Sequence, residues 1–306
     1  MSISQNRSNL RGVVVFLLVI ACGVLASRAG DEPPVPVRPR VPGTLRLHLR
    51  ERKTAPGADA KSPAQAVDRT VDWDVSKTAI IVCDMWDDIY CKSAARRIGV
   101  MAPKMNAVLS AARDHGVMVI HAPSGTMDLY EGTPYRRRMR EAPKSKPPVP
   151  IKPSFERDAD REPELPIDVS KSACDDPVVG PVVRRYTREH PALDITGYDG
   201  VSDDGGEIYN FCAANGITNI VLMGVHANMC VLGRSFGVRQ LTREGFNVVV
   251  ARDLTDAMYD PRQPPYVSHA RGTEMVIEHI ERYWCPTILG ENDLVSVVPG
   301  SAGPKE

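Results

Sequence analysis

Ala79-Ile80-Ile81-Val82-Cys83-Asp84 is an unbroken apolar run closed by an acid. Consecutive apolar residues without alternation describe a strand buried on both faces, as in a parallel sheet covered by helices. Working outward, Pro103 through His115 carries apolar residues at helical spacing and stops at Gly116, a natural residue just past a helix end. Val117-Met118-Val119-Ile120 reads as the next strand. Further on, Gly206 to Asn215 reads as helix, Asn219 to Gly224 as strand, Cys230 to Glu244 as helix and Phe246 to Ala251 as strand; a last helix runs from Thr273 to Trp284. This alternation predicts a single α/β domain over 78–290, with a doubly wound, mostly parallel sheet and helices on both faces. Between Ser124 and Val182 the chain is polar, Pro-bearing and aperiodic. A segment of that length inside a compact domain is expected to be a binding loop or lid.

The flanks read differently. Arg7 and Arg11 precede an apolar run from Gly12 to Ala21, too short to span a bilayer but suited to the core of a signal peptide. Ser27-Arg28-Ala29 supplies the small residues wanted before a cleavage point. Residues 1–29 are therefore expected to direct export, giving a periplasmic or secreted chain of 277 residues with 35 basic and 38 acidic side chains. Val19-Ile20-Ala21-Cys22 offers a second reading, a lipobox that would anchor the chain to lipid through Cys22. Prolines at 33, 34, 36, 39 and 42 make 30–77 a linker and N-terminal extension. Within it, Thr44 to Glu51 alternates as a half-buried strand does, and Ala55 to Gln65 is a polar separator. Residues 291–306 read as a flexible tail.

With 38 Lys and Arg against 38 Asp and Glu, 42% hydrophobic and 6% aromatic residues, the composition excludes intrinsic disorder, a collagen and a polytopic membrane protein. Zero net charge argues against nucleic acid as partner. The one basic run, Tyr135 to Arg140, is expected to be a solvated loop or a helix face balanced by acids elsewhere. Of seven cysteines, at 22, 83, 91, 174, 212, 230 and 285, none forms a Cys-x-x-Cys motif, so few disulfides or none are expected.

Ligands bind at the carboxyl ends of strands in open parallel sheets. Asp84 ends the first strand, and Gly224-Val225-His226-Ala227-Asn228-Met229-Cys230 joins another strand to the helix after it. Cys230 then lies at a helix N-terminus, where unpaired N–H groups favour a thiolate and could hold an oxyanion. Set against this is the plainer reading of a small cysteine packed at a strand-to-helix junction.

These two motifs, about 140 residues apart, together with Arg252-Asp253-Leu254-Thr255-Asp256-Ala257, resemble the isochorismatase-like cysteine hydrolases, the superfamily that includes the nicotinamidases. The resemblance spans about residues 78–289. It implies an Asp, Lys and Cys triad, in which Asp84 matches the aspartate and Cys230 the nucleophile. No lysine stands where the family has one: Arg188 is nearest if Pro191-Ala192-Leu193 anchors the match, and Arg185 if the preceding strand does. Arginine keeps its charge but does not release a proton near neutrality. The resemblance also implies a cis peptide between Val225 and His226, with amides of that turn around the oxyanion. Trp86, Val225, His226 and His269 are expected to contact substrate, against the plainer reading of packing at the sheet edge. Nicotinamidases bind a metal through an Asp-x-His pair, which none of the seven histidines here forms, so neither a catalytic metal nor another cofactor is expected. The favoured expectation is hydrolysis of a C–N bond in a small molecule. Vinyl-ether cleavage and a non-catalytic binding protein on the same scaffold are the alternatives, and self-association is left open.

Overall fold

The computed structural model describes residues 38, 39, 41–55, 57, 62–154 and 156–299. The expected export signal, Cys22 and most of the Pro-rich stretch lie outside these residues. Strand β1 (Gly43–Lys53) and β2 (Gln65–Asp74) form a hairpin, followed by β3 (Thr78–Cys83), α1 (Lys92–Asp114), β4 (Met118–Ala122), α2 (Pro134–Arg140), β5 (Gly200–Val201) and α3 (Gly205–Ala214). Then come β6 (Asn219–Val225), α4 (Val238–Arg243), β7 (Asn247–Asp256), α5 (His269–Tyr283), β8 (Thr287–Ile288), α6 (Gly290–Asp293) and β9 (Val298–Pro299). The sheet order is β2-β1-β8-β7-β6-β3-β4-β5, with β9 on β1.

The strands from β8 to β5 are parallel, and the N-terminal hairpin adds an antiparallel edge. Every residue of β3 and β6 is buried, as continuous apolar runs require. Alternate residues serve opposite faces. Ile80, Val82, Val221 and Met223 pack with Ile98, Met105 and Leu109 of α1, while Ile81, Ile120, Ile220 and Leu222 pack with Ile208 and Phe211 of α3 and Val276 and Ile280 of α5. The expected doubly wound α/β fold is the observed one.

Some boundaries differ from expectation. Helix α1 begins at Lys92, before the predicted start, and carries Pro103 inside it; proline there removes one helical hydrogen bond without ending a helix whose apolar face is packed. The helix predicted from Cys230 to Glu244 is instead a π-helical turn over Ala227–Val231 and a separate α4. The extension is part of the sheet: Leu45, Leu47 and Leu49 are buried, and Arg50 bonds Glu281 and Glu274 of α5. The tail expected to be flexible after Gly290 forms α6, and Val298–Pro299 pairs with β1.

The long 124–182 stretch is mostly irregular, but it is fastened at several points. Its basic run forms α2, where Arg136 pairs with Glu207 and Glu131, Arg140 with Glu131, and Arg138 donates to the Asp199 carbonyl at 2.7 Å. It is thus a helix face balanced by acids. Cys91 and Cys174 form a disulfide spanning 83 positions, in keeping with few bridges. Buried Glu162 accepts from Arg239 Nε at 2.6 Å and Trp284 Nε1 at 2.8 Å, with His279 Nε2 at 2.7 Å.

Burial opposes the charge of Glu162, yet these three partners hold its carboxyl down at about 2. Removing one member of such a pair leaves a buried charge uncompensated. Glu162→Gln is expected to cost about 3 kcal/mol in urea unfolding near neutral pH. Because the folded value is depressed, this contribution is present above the ordinary carboxylate range and is lost as pH falls through about 2. A stability difference between the two proteins that stays flat down to that range, then narrows, is the expected outcome.

Candidate active site

Chain direction across the sheet reverses between β3 and β6: β4 and β5 follow to one side of β3, while β6, β7 and β8 lie on the other. A crevice opens at the carboxyl ends of strands flanking such a reversal. Asp84 leaves β3 there, and the cis Val225–His226 peptide leaves β6. The two strands approach closely at Gly224, where a Cβ would sit 2.1 Å from the Cys83 carbonyl oxygen. The β6–β7 register shifts between Leu222 and Gly224, re-aiming the end of β6.

Asp84 is fully buried and adopts a left-handed φ of 50°, a region aspartate tolerates better than most residues. Its backbone N–H donates to the Ala122 carbonyl at 3.1 Å. Oδ1 accepts from the Ser124 N–H at 2.8 Å, and Oδ2 from Arg234 Nε at 2.9 Å and Nη2 at 2.8 Å. The Cys230 thiol lies within electrostatic reach of this same carboxylate and of Arg234. Asp84, Cys230 and Arg234 therefore form one contiguous group.

Burial pushes the Cys230 thiol well above its usual range, and the neighbouring Asp84 charge pushes the same way; Arg234 and the His226 backbone N–H pull against them. The resting sulfur is thus a thiol. This corrects the expectation of a thiolate favoured by a helix N-terminus: the turn is π-helical, Cys230 is its fourth residue, and an anion already occupies the space beside it. Arg234 stays charged because Asp84 outweighs its own desolvation.

The cation expected at Arg188, or at Arg185, is supplied by Arg234. Arg188 is exposed, and its backbone, not its guanidinium, is what the site holds: Asp87 N–H donates to the Arg188 carbonyl at 3.0 Å. Arg234 follows Cys230 by four residues, and its N–H donates to the Cys230 carbonyl at 3.0 Å, so one helical turn presents both side chains together. Helical spacing was the available signal, and a search confined to the segment before the motif passes over it.

The expected contact residues separate. Trp86 is buried, donates Nε1–H to the Ser124 carbonyl at 3.1 Å and stacks on Tyr186 with ring centroids 4.4 Å apart. Val225 is buried at the β6 end. His226 brings its backbone to the sulfur, while its ring is buried and pushed down to about 4 by burial, hence neutral, with Nε2 unpartnered among the described residues. His269 belongs to another cluster: Nε2 lies 2.9 Å from Asp256 Oδ1 and Nδ1 2.9 Å from the Tyr259 carbonyl, and Asp256 also binds Arg97. That follows from its position on α5 beyond the end of β7, one strand removed from β6. A cavity of about 510 Å³ beside this cluster, lined by Arg97, Met101, Asp175 and Asp256, includes neither Asp84 nor Cys230 in its lining.

A buried network underlies the loop that carries Tyr186. His121 Nδ1 lies 2.8 Å from Glu189 Oε2 and its Nε2 3.3 Å from Asp199 Oδ2, and Arg113 also binds Asp199. Burial alone would lower His121, but the two carboxylates push it up to about 9. Among the described residues one cluster of metal-ligating types occurs, Cys91, Cys174 and Asp176. Its sulfurs are bonded to each other, and Asp176 caps α1 through the Lys92 and Ser93 N–H groups, so its donors are already committed.

A thiol and a buried carboxylate at the switch point of a doubly wound sheet define an α/β protein with the site of a cysteine hydrolase. Residues 78–277 match the isochorismatase domain, and the chain belongs to that family. Among solved structures it is similar to a cysteine hydrolase from Pseudomonas syringae pv. phaseolicola 1448A, with 17% identity over 70% of this chain and 89% of that one and a TM-score of 0.43. An isochorismatase family protein from Burkholderia thailandensis shows 18% identity over 72% and 95%, with a TM-score of 0.39. N-carbamoylsarcosine amidase from Thermoplasma acidophilum shows 16% over 61% and 87%, with a TM-score of 0.34. No curated protein matches the chain.

Because Arg234 lowers the proton affinity of the thiol, its removal is expected to push the alkylation profile of Cys230 further upward. Arg234→Ala is predicted to shift the pH midpoint of iodoacetamide labelling by about one unit or more. Arg234→Lys should recover much of that shift, and Arg188→Ala should move it far less. Site-resolved mass spectrometry of the labelled protein measures all three.

Proposed function

We propose that the protein hydrolyses a C–N bond in a small amide-like molecule through an acyl-thioester on Cys230. The observation that carries this reading is the Cys230 thiol beside a buried carboxylate that Arg234 grips through Nε and Nη2. As Sγ attacks the carbonyl carbon, its proton passes to Asp84 and the carbonyl π electrons move to oxygen. In this reading, amides of the turn after Val225 receive that oxyanion. Collapse of the tetrahedral species breaks the C–N bond, and Asp84 returns the proton to the leaving amine. Water then attacks the thioester, Asp84 takes its proton, and the acid departs as the thiol is restored.

Arg234 has an electrostatic part only. It holds Asp84 as a base without serving as a proton carrier, since a guanidinium does not deprotonate near neutrality. This cation also weakens the reading as a binding protein, which drew its force from the missing lysine. A vinyl-ether reaction needs no covalent thiol, and the contact between Cys230 and Asp84 gives it no support. Export is part of the proposed reading, and the disulfide between Cys91 and Cys174 supports it, because such bonds persist in oxidising compartments.

A panel of small amides, ureides and carbamates with ammonia detection identifies a substrate. On that substrate Cys230→Ala is expected to lose turnover by at least about a thousandfold, with circular dichroism unchanged, and Asp84→Asn to lose nearly as much. Turnover retained in folded Cys230→Ala would remove the proposal.

A further inference from the structure

In the basic run at 135–140, Arg136 and Arg140 pair with Glu207 and Glu131 from outside α2, but a second basic stretch is set differently. Arg184-Arg185-Tyr186-Thr187-Arg188 places three exposed arginines within five residues, and none of them forms an ion pair with a described residue. Only Arg184 has a fixed setting: its guanidinium lies 5.0 Å from the centre of the Tyr186 ring. The stretch is fastened to residues adjoining the candidate site. Tyr186 stacks on Trp86, and its hydroxyl would lie 3.4 Å from a Cβ placed on Gly125, next to the Ser124 amide that binds Asp84. Thr187 N–H and the Arg188 N–H donate to Asp87, and Trp86 bridges Glu189.

The acids touching this surface do not cancel its charge. Asp87 is engaged by the Thr187 amide and hydroxyl and the Arg188 amide, and Asp203 by the Gly125 amide. Asp84 is matched by Arg234. The surface beside the site therefore has three exposed guanidinium groups against two carboxylates, next to a flat aromatic pair. A mouth of one charge sign concentrates ligands of the other and loses that advantage as salt screens it.

We propose that this surface is the mouth of the site and selects small substrates that carry a negative charge close to the group presented to Cys230, with the Tyr186–Trp86 stack as its flat wall. The inference rests on the reading of Cys230 as the reacting atom. It names the charge of the substrate, which that reading leaves open.

Two alkylating reagents that differ in charge test it without knowledge of the substrate. Iodoacetate is an anion and iodoacetamide is neutral, and with both the sulfur displaces iodide to form the same S–CH₂ bond. The ratio of their rates at Cys230, read by peptide mapping and divided by the ratio for 2-mercaptoethanol, cancels the proton affinity of the thiol. At low salt that quotient is expected to exceed one by about tenfold. It should fall toward one at high salt and in the Arg184→Ala/Arg185→Ala/Arg188→Ala variant. A reactive Cys230 with a quotient at or below one, or a quotient unmoved by both salt and the triple substitution, overturns the inference alone. A Cys230 alkylated by neither reagent overturns the reading of the nucleophile and this inference with it.

Discussion

The carboxylate of Asp84 is a charge placed where the fold offers no water, and much of the local architecture answers that placement. It stands at the end of a strand buried on both faces, so its two oxygens must find protein donors. Ser124 satisfies one from the end of β4, Arg234 satisfies the other from the segment after β6, and the thiol of Cys230 joins the same group. Three parallel strands are thereby tied together at one edge by a single side chain. Pairing of this kind contributes little net stability compared with an apolar replacement, but breaking it is costly. The arrangement is explained better by chemistry than by folding.

A thiol that burial keeps protonated has a consequence for selectivity. Cys230 does not stand as a ready thiolate, since burial and Asp84 both disfavour that form. Attack requires a proton to move to Asp84 as the carbon–sulfur bond develops, which couples nucleophilicity to the presence of an electrophile in place. An oxidant or stray electrophile arriving from solvent meets a thiol rather than an anion. For a protein read as exported into oxidising surroundings, that coupling keeps the reactive sulfur reduced beside a chain that does form a disulfide elsewhere.

What the sequence disclosed depended on whether the physics was local. Continuous apolar runs such as 79–83 and 219–224 have one sensible fate, and they located β3, β6 and the two residues at the centre of the site. Strand β2 was illegible because most of its residues are exposed on both faces, leaving no period to read. Its pairing is set by the register with β1, from Thr44 opposite Asp74 to Lys53 opposite Gln65. The disulfide was equally hidden, because 83 positions of intervening chain carry no signal that Cys91 and Cys174 meet. Arg234 was missed for another reason: family resemblance directed attention to the segment before the motif, whereas four residues of helical spacing after Cys230 place a cation on the same face. The partner of His269 is Asp256, opposite Val225 across the β6–β7 pair, and such a cross-strand relation is not written in any short stretch.

The long irregular segment shows how an aperiodic chain can still be ordered. It has few elements of its own, so its backbone cannot be organised by repeated hydrogen bonding, and it is held by separate buried charges instead. Glu162 fastens one part to Arg239, His279 and Trp284; the disulfide and Asp176 fasten another to the start of α1. Just beyond the segment, Glu189 sets the following stretch against His121, whose charge the two neighbouring carboxylates maintain. Each fastening costs desolvation and is specific in position, unlike an apolar contact that tolerates sliding. The stretch from Arg184 to Arg188 lies just before the Glu189 anchor and beside Asp87, so the Tyr186 ring is registered against Trp86 to within a stacking distance. A loop with that many fixed points is built as a fixed surface rather than a flap, which is what the proposed selection of substrate by its side chains requires.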